Sequence, residues 1–347
     1  MSGLAIAVVG AGAIGRAHAE RLARPSAAAR LAAIVDPAPA ARDFAASLGA
    51  PWFADVAALL AAAKPDGAIL ATPNETHLPL ALMLAPAKIP LLVEKPIAAT
   101  LEDARAICAA GRKAGVPILV GHHRRHNPII KAARAFLREG RLGRLVNVTI
   151  IADFLKPDPY FELEWRRRPG GGPILINAIH EIDLLRHLCG EIVSVQALAS
   201  HAARGFEVED TAAALMRLAN GALATLTLSD ATAAPWNWDL IARENPQYPR
   251  QPARANSHFL AGSEGALTLP QLEFWRYAGA RGWHQPMTLE AEGYEPGDPY
   301  IAQIEHFVGV IAGREGPLVS GEDATETLRA TLALHEAARS GRLVTLD

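Results

Sequence analysis

Short apolar runs, each ending on glycine or on a polar cluster, alternate with helix-forming stretches over the first third of the chain. Leu4–Val9 is apolar throughout and stops at Gly10. A run of that length without alternation suits a strand buried on both faces. Leu31–Val35 ends on Asp36, Ala68–Ala71 on Thr72-Pro73-Asn74, Leu91–Val93 on Glu94-Lys95-Pro96, and Ile118–Val120 on Gly121-His122-His123. A helix is predicted from Arg16 to about Arg24, and another after Pro39, closing at Gly49. Strands alternating with helices imply right-handed crossovers and a parallel sheet. Ligands gather at the carboxyl ends of such strands, where these polar clusters sit.

Beyond Pro128 the alternation stops. Ile129–Arg138 predicts a helix, and Leu145–Phe154, Ile192–Ala199, Thr211–Leu218 and Ala222–Leu228 predict strands. Asn220-Gly221 between the last two is a hairpin signal. Phe259–Leu269 adds two short strands around Gly262–Gly265, and Ile301–Ile311 and Ala324–Ser340 are closing helices. The expected fold class is α/β: an amino-terminal doubly wound parallel sheet over residues 1–123, then a carboxy-terminal α/β domain over 124–347 with a large, mostly antiparallel open sheet. The helix after the glycine run Gly170–Gly172 is expected to start near Ile174, and Asn237–Ser257 reads as a long loop.

A length of 347 residues accommodates two domains. Thirty-four basic against thirty-six acidic side chains leave a formal charge of −2, so nothing calls for a nucleic acid or membrane partner. Cys108 and Cys189 stand alone, which signals neither a disulfide framework nor a thiolate metal site. The chain opens into its first strand without a basic stretch, and the apolar run breaks at Gly10, so the expected location is the cytoplasm.

Gly10-Ala11-Gly12-Ala13-Ile14-Gly15 has the spacing G-x-G-x-x-G, with a strand before it, a helix after it and Asp36 at the next strand end. Gly10 permits the tight turn, Gly12 lets the backbone approach a pyrophosphate, and Gly15 allows close helix packing. The helix N-terminus offers N–H groups to the phosphates. Asp36 would accept from ribose hydroxyls and repel a 2′-phosphate, so NAD is favoured over NADP. A turn of this kind in a domain binding something else is the bland alternative.

These residues, with Ala71-Thr72-Pro73-Asn74, Glu94-Lys95-Pro96, Val120-Gly121, Arg124-Arg125, Gly170-Gly171-Gly172, His180-x-x-Asp183 and Gly321-Glu322-Asp323, resemble the glucose–fructose oxidoreductase / inositol dehydrogenase / rhizopine catabolism (Gfo/Idh/MocA) family. The resemblance implies hydride transfer between a nicotinamide cofactor and a hydroxyl or carbonyl carbon of a sugar, sugar acid, cyclitol or related polyol. It also implies a homodimer or homotetramer assembled through the carboxy-terminal sheet, and a Lys95–Pro96 peptide that is often cis. Gly10, Gly12, Ala13, Ile14, Gly15, Asp36, Thr72, Pro73, Asn74, His77, Glu94 and Lys95 form the expected cofactor-binding set; His123, Arg124, Trp165 and Asn177 are expected to bind substrate.

Lys95 and His180 are the candidate catalytic residues. An ammonium at the end of a strand can stabilise alkoxide character, and an imidazole suits a general base. The alternatives are a surface lysine and a satisfied histidine at a domain junction. Asp183 and His187 share the helix with His180, but without a third cluster no metal is expected. Where much of the family has an aspartate four residues before this histidine, the chain has Ile176. Asn177 is the nearest polar residue and cannot take a proton. Trp165-Arg166-Arg167-Arg168 is either a solvated run or a fork for carboxylate or phosphate, which makes an anionic substrate an expectation. An NAD-retaining, redox-neutral glycosidase and a non-catalytic NAD-dependent regulator are the competing functions.

Overall fold

The computed structural model describes residues 3–25, 27–245 and 248–346. The chain divides into two compact units, one running to His126 and taking in Asp298–Leu328, the other Asn127–Gly297 with the chain from Arg329.

In the first unit the apolar runs become β1 (Leu4–Val9), α1 (Ala13–Leu22), β2 (Ala29–Val35), α2 (Pro39–Ser47), β3 (Trp52–Phe53), α3 (Val56–Ala62), β4 (Gly67–Leu70), α4 (His77–Leu84), β5 (Leu91–Val93), α5 (Leu101–Ala114) and β6 (Ile118–Val120). The six strands are parallel, in the order β3-β2-β1-β4-β5-β6. The order reverses between β1 and β4, and ligands of such sheets bind beyond the carboxyl ends at that switch point. Ile6, Val8, Ile34, Ile69 and Leu92 are wholly buried, as strands without alternation require. Local signals fix the helix ends. Thr100 caps α5 by accepting from the Asp103 N–H at 3.1 Å, and Gly115, with φ of 66°, ends it.

The rest of the chain forms α6 (Pro128–Arg138), β7 (Leu145–Asp153), α7 (Ile179–Cys189), β8 (Ile192–Ser200), β9 (Thr211–Leu218), β10 (Leu223–Ser229), α8 (Trp238–Ile241), β11 (His258–Gly262), β12 (Gly265–Leu269), β13 (Glu273–Arg276), β14 (Thr288–Ala291), α9 (Pro299–Ile311), α10 (Gly321–Ser340) and β15 (Val344–Thr345). A nine-stranded sheet runs β14-β13-β12-β11-β7-β10-β9-β8-β15. It is antiparallel except where β7 and β10 pair in parallel. On one face Val148, Ile150, Met216, Leu226 and Leu260 pack with Phe136, Ile182 and Leu334 from the helices. The other face exposes Leu198, Leu215, Leu223, Phe259, Trp275 and Leu289.

Ile174 does not begin an α-helix. Residues Ile174–Ala178 make one π-helical turn, and α7 starts at Ile179. Single π turns are rare and occur often at functional sites. The expected loop Asn237–Ser257 holds α8, with Trp238 fully buried; Pro246 and Gln247 lie outside the described residues.

Candidate active site

In the first unit the glycine-rich turn has the geometry its spacing requires. Gly10 has φ of 98°, and a Cβ there would meet the Ala71 carbonyl oxygen at 2.5 Å. At Gly15 a Cβ would lie 2.0 Å from the Gly10 oxygen, whereas at Gly12 it would meet nothing within 4 Å. Gly12 is thus a cradle that a side chain would fill, at the N-terminus of α1, where no side chain caps the helix. Asp36 follows β2 with its carboxylate fixed: Oδ2 accepts from the Ala11 N–H at 2.7 Å and Oδ1 from the Ala38 N–H at 2.8 Å. Its remaining lone pairs suit ribose hydroxyls and its charge opposes a 2′-phosphate. These residues fit NAD.

Thr72, Pro73 and Asn74 turn away from β4, with Thr76 donating its hydroxyl to Thr72 at 2.7 Å. His77 is fully buried behind that turn, Nε2 3.0 Å from the Thr72 carbonyl oxygen and Nδ1 3.1 Å from that of Ile97. Burial holds its pKa below the ordinary value, against the upward pull of those carbonyls.

Glu94, Lys95 and Pro96 leave β5 with the Lys95–Pro96 peptide cis. Glu94 is buried, its Oε1 2.7 Å from His18 Nε2 and its Oε2 accepting from the Lys95 N–H at 3.3 Å. A Cβ at Gly121 would come within 2.8 Å of this carboxylate. Burial pushes the carboxyl up, but the hydrogen bond and charge of His18, with the charges of His123 and Lys95, hold it below the usual range. Tyr300 stacks on His123 at 4.3 Å and meets His18 edge-on at 5.6 Å. Lys95 itself is partly exposed. His123, Arg124, Arg125 and His126 form a buried turn, and Arg125 is paired with Asp323 of the Gly321-Glu322-Asp323 motif.

In the second unit His180 lies in the first turn of α7, 8% exposed. The turn before it is held by Glu209, whose Oε1 accepts from the Ile174 N–H at 3.0 Å. A Cβ at Gly172 would lie 2.3 Å from that oxygen, so the Glu209 carboxylate would have to shift to admit a side chain there. Asn177 is partly exposed and accepts from Lys156 Nζ at 2.8 Å. Burial pushes the Lys156 ammonium below the usual lysine range, against Asp230, 3.1 Å away. Trp165 is half exposed, with Arg166 near its ring and over that of Tyr160 at 3.8 Å. Arg168 pairs with Glu164 on the surface, and Arg134 engages His187. Of the arginines that suggested an anionic substrate, Arg168 has a carboxylate partner and Arg166 donates to the Tyr160 carbonyl at 2.7 Å. His18, Lys156 and Glu209 were not expected from sequence. Only His18 carries a local signal, a histidine on the buried stripe Gly15, Ala19, Leu22 of α1.

Residues 4–122 match the profile described as oxidoreductase family, NAD-binding Rossmann fold, and residues 130–267 match that family's carboxy-terminal domain. Across 81% of the chain, and 80% of the relative, it is 30% identical to a 1,5-anhydro-D-fructose reductase of Ensifer adhaerens. The chain belongs to the Gfo/Idh/MocA oxidoreductase family. This member is 28% identical to a D-apiose dehydrogenase of Paraburkholderia graminis over 85% of its own length and 76% of that protein. A rhizopine catabolism protein of Rhizobium meliloti matches at 32% over 55% of the chain; the match spans 59% of that protein. Among solved structures, an aldose-aldose oxidoreductase from Caulobacter crescentus, complexed with glycerol, is 25% identical with a TM-score of 0.79, covering 99% of this chain and 100% of that one. The family member described here is an NAD-binding oxidoreductase. No helix among its described residues is long and apolar enough to cross a membrane.

Proposed function

We propose that this oxidoreductase interconverts a hydroxyl and a carbonyl group on a sugar, sugar acid, cyclitol or related polyol, with Lys95 and His180 as its catalytic residues. The observation that carries this reading is the placement of Lys95, which leaves β5 next to a carboxylate fixed by His18, beside the strand ends that form the nucleotide turn. Bound NAD supplies the hydride acceptor. Lys95 stabilises negative charge on the reacting oxygen, and His180 accepts the hydroxyl proton. Gly10, Gly12, Ala13, Ile14, Gly15, Asp36 and Thr72–Asn74 hold the dinucleotide, with His77 and Glu94 shaping the turns from behind. Asn177, His123, Arg124 and Trp165 bind substrate. The sugar-modifying activities named for the relatives support the substrate class.

The test is NADH absorbance with purified protein, NAD and a panel of myo-inositol, D-apiose, D-glucose, D-gluconate and D-galacturonate. The expected result is NADH from at least one compound. Tight NAD binding with no NADH from any of them, together with cleavage of a glycoside, would replace the reading with redox-neutral hydrolysis.

The exposed sheet face supports assembly with a second copy. Leu215, Thr225, Thr149 and Phe259 lie side by side across four strands, and Leu223 and Trp275 add to the same face. Several large apolar side chains exposed on one face mark an interaction site. Sedimentation is expected to show a dimer or larger assembly that Leu215→Glu weakens; a wild-type monomer would overturn the assignment.

A further inference from the structure

The ladder row Ser200–Thr211–Ser229–Asp153 marks one end of the nine-stranded sheet. Just past it lies a buried ionic knot. Asp230, which follows β10, accepts from Arg204 Nε at 3.1 Å and lies 3.1 Å from Lys156 Nζ. Arg204 also donates to the Lys156 carbonyl at 2.9 Å, and its own N–H donates to Asp210 at 2.8 Å. The Lys156 side chain is 7% exposed and that of Asp230 is 2% exposed. Lys156 further lies 4.8 Å from the ring centroid of Tyr160.

From this knot Lys156 reaches out to one polar group, Oδ1 of Asn177. An ammonium has protons and no lone pair, while a carboxamide has one accepting oxygen and one donating nitrogen. Lys156 therefore selects the amide oxygen and turns the NH2 group away. Asn177 is partly exposed, and among the described residues its Nδ2 has no further hydrogen-bond partner. It sits in the π-helical turn three residues before His180, and its neighbour Ile176 has an apolar side chain. An aspartate at 177 would pair with Lys156 and turn no donor outward.

We propose that Lys156 is a positioning residue which fixes Asn177 as an obligate hydrogen-bond donor to an acceptor oxygen of the substrate processed at His180. This rests on the dehydrogenase reading. The oxygen recognised is a carboxylate, a carbonyl or a hydroxyl lone pair, and never a group that must itself donate to Asn177. The π turn places the amide, and the knot holds its orientation from the sheet.

Lys156→Met removes the ammonium and leaves Asp230 its partner Arg204. If it fails to fold, Lys156→Gln, which can still donate to Asp230, takes its place. The ligand-free measurement is the side-chain NH2 signal of Asn177 in asparagine-labelled protein, assigned by its loss in Asn177→Ala. The signal is expected to shift in folded Lys156→Met and to stay near its wild-type position in Lys156→Arg. Kinetics use whichever panel compound gives NADH. KM is expected to rise about ten-fold in Lys156→Met and in Asn177→Ala, with kcat much less affected and the double variant no worse than Asn177→Ala. An unmoved Asn177 signal in folded Lys156→Met, or KM effects that multiply in the double variant, would overturn the proposal. If no panel compound gives NADH and a glycoside is cleaved instead, the dehydrogenase reading fails, while the amide signal still decides whether Lys156 holds Asn177.

Discussion

Alanine in place of Lys95 is expected to lower kcat/KM by about three orders of magnitude while NAD affinity stays near that of the wild type. The separation follows from the first unit's geometry. The dinucleotide cradle is built on the Gly10–Gly15 turn and Asp36, whose carboxylate is held by the N–H groups of Ala11 and Ala38. None of those bonds passes through Lys95. Lys95 follows the end of a different strand, β5, and an ammonium there stabilises an oxygen turning into an alkoxide. Lys95→Arg is expected to restore little, because a guanidinium is broader, spreads its charge and keeps its protons. NAD titration followed by intrinsic fluorescence, beside initial rates on the panel compound that gives NADH, makes the comparison. A loss below about ten-fold, or a fall in NAD affinity that tracks the fall in rate, would remove Lys95 from the chemistry.

How much of this could be read from the sequence depends on how local the signal is. β5 and β6 fall where the unbroken apolar runs Leu91–Val93 and Ile118–Val120 put them, and Asp36 and Lys95 follow strand ends as predicted. The glycines were legible because a tight turn leaves few alternatives to a residue without Cβ. The two-residue strand β3, the exposed edge strand β14 and the four-residue strand β13 beside it were missed, since they are too short or too exposed to show a period. A helix drawn from Ile174 at a constant 3.6-residue spacing could not anticipate the wider π turn that carries Asn177. The remaining surprises are pairings over long sequence separations. His18 meets Glu94 across 76 positions, and Arg125 meets Asp323 across 198. In sequence Arg125 is one of a run of cations facing a ligand site; in the structure it ties the start of α10 to the turn after β6. Lys156 gives no local signal for the same reason: its carboxylate partner Asp230 follows β10, three strands further along the chain.

Removing the imidazole of His18 is expected to be among the most damaging single changes in the first unit, and the damage should depend on pH in a predictable sense. In the wild type the Glu94 carboxyl is held below its ordinary value, so the unfolded chain binds its proton more readily than the folded one. The stability contributed by this group is therefore present above the unfolded carboxyl pKa and lost as pH falls through the folded one. In His18→Leu the main donor is gone, while burial, the largest influence on this carboxyl, remains and pushes it up. A buried carboxylate that has lost its main partner destabilises by about 3–5 kcal/mol, and protonation relieves it. The stability gap between wild type and variant should thus be widest near neutrality and narrow as pH falls, first because the variant recovers stability as its raised carboxyl takes a proton, and below the ordinary carboxylate range also because the wild type loses some. Glu94→Leu added to His18→Leu should recover most of the loss at neutral pH, since it removes the charge whose burial is costly. Urea unfolding across that pH range measures both effects. A gap that stays constant with pH would mean that the cost of losing His18 is one of packing against Tyr300 rather than of the carboxylate. The same carboxylate accepts from the Lys95 N–H, so a variant that frees it should also lose activity beyond its loss of stability. This couples the fold of the first unit to the residue that carries its chemistry.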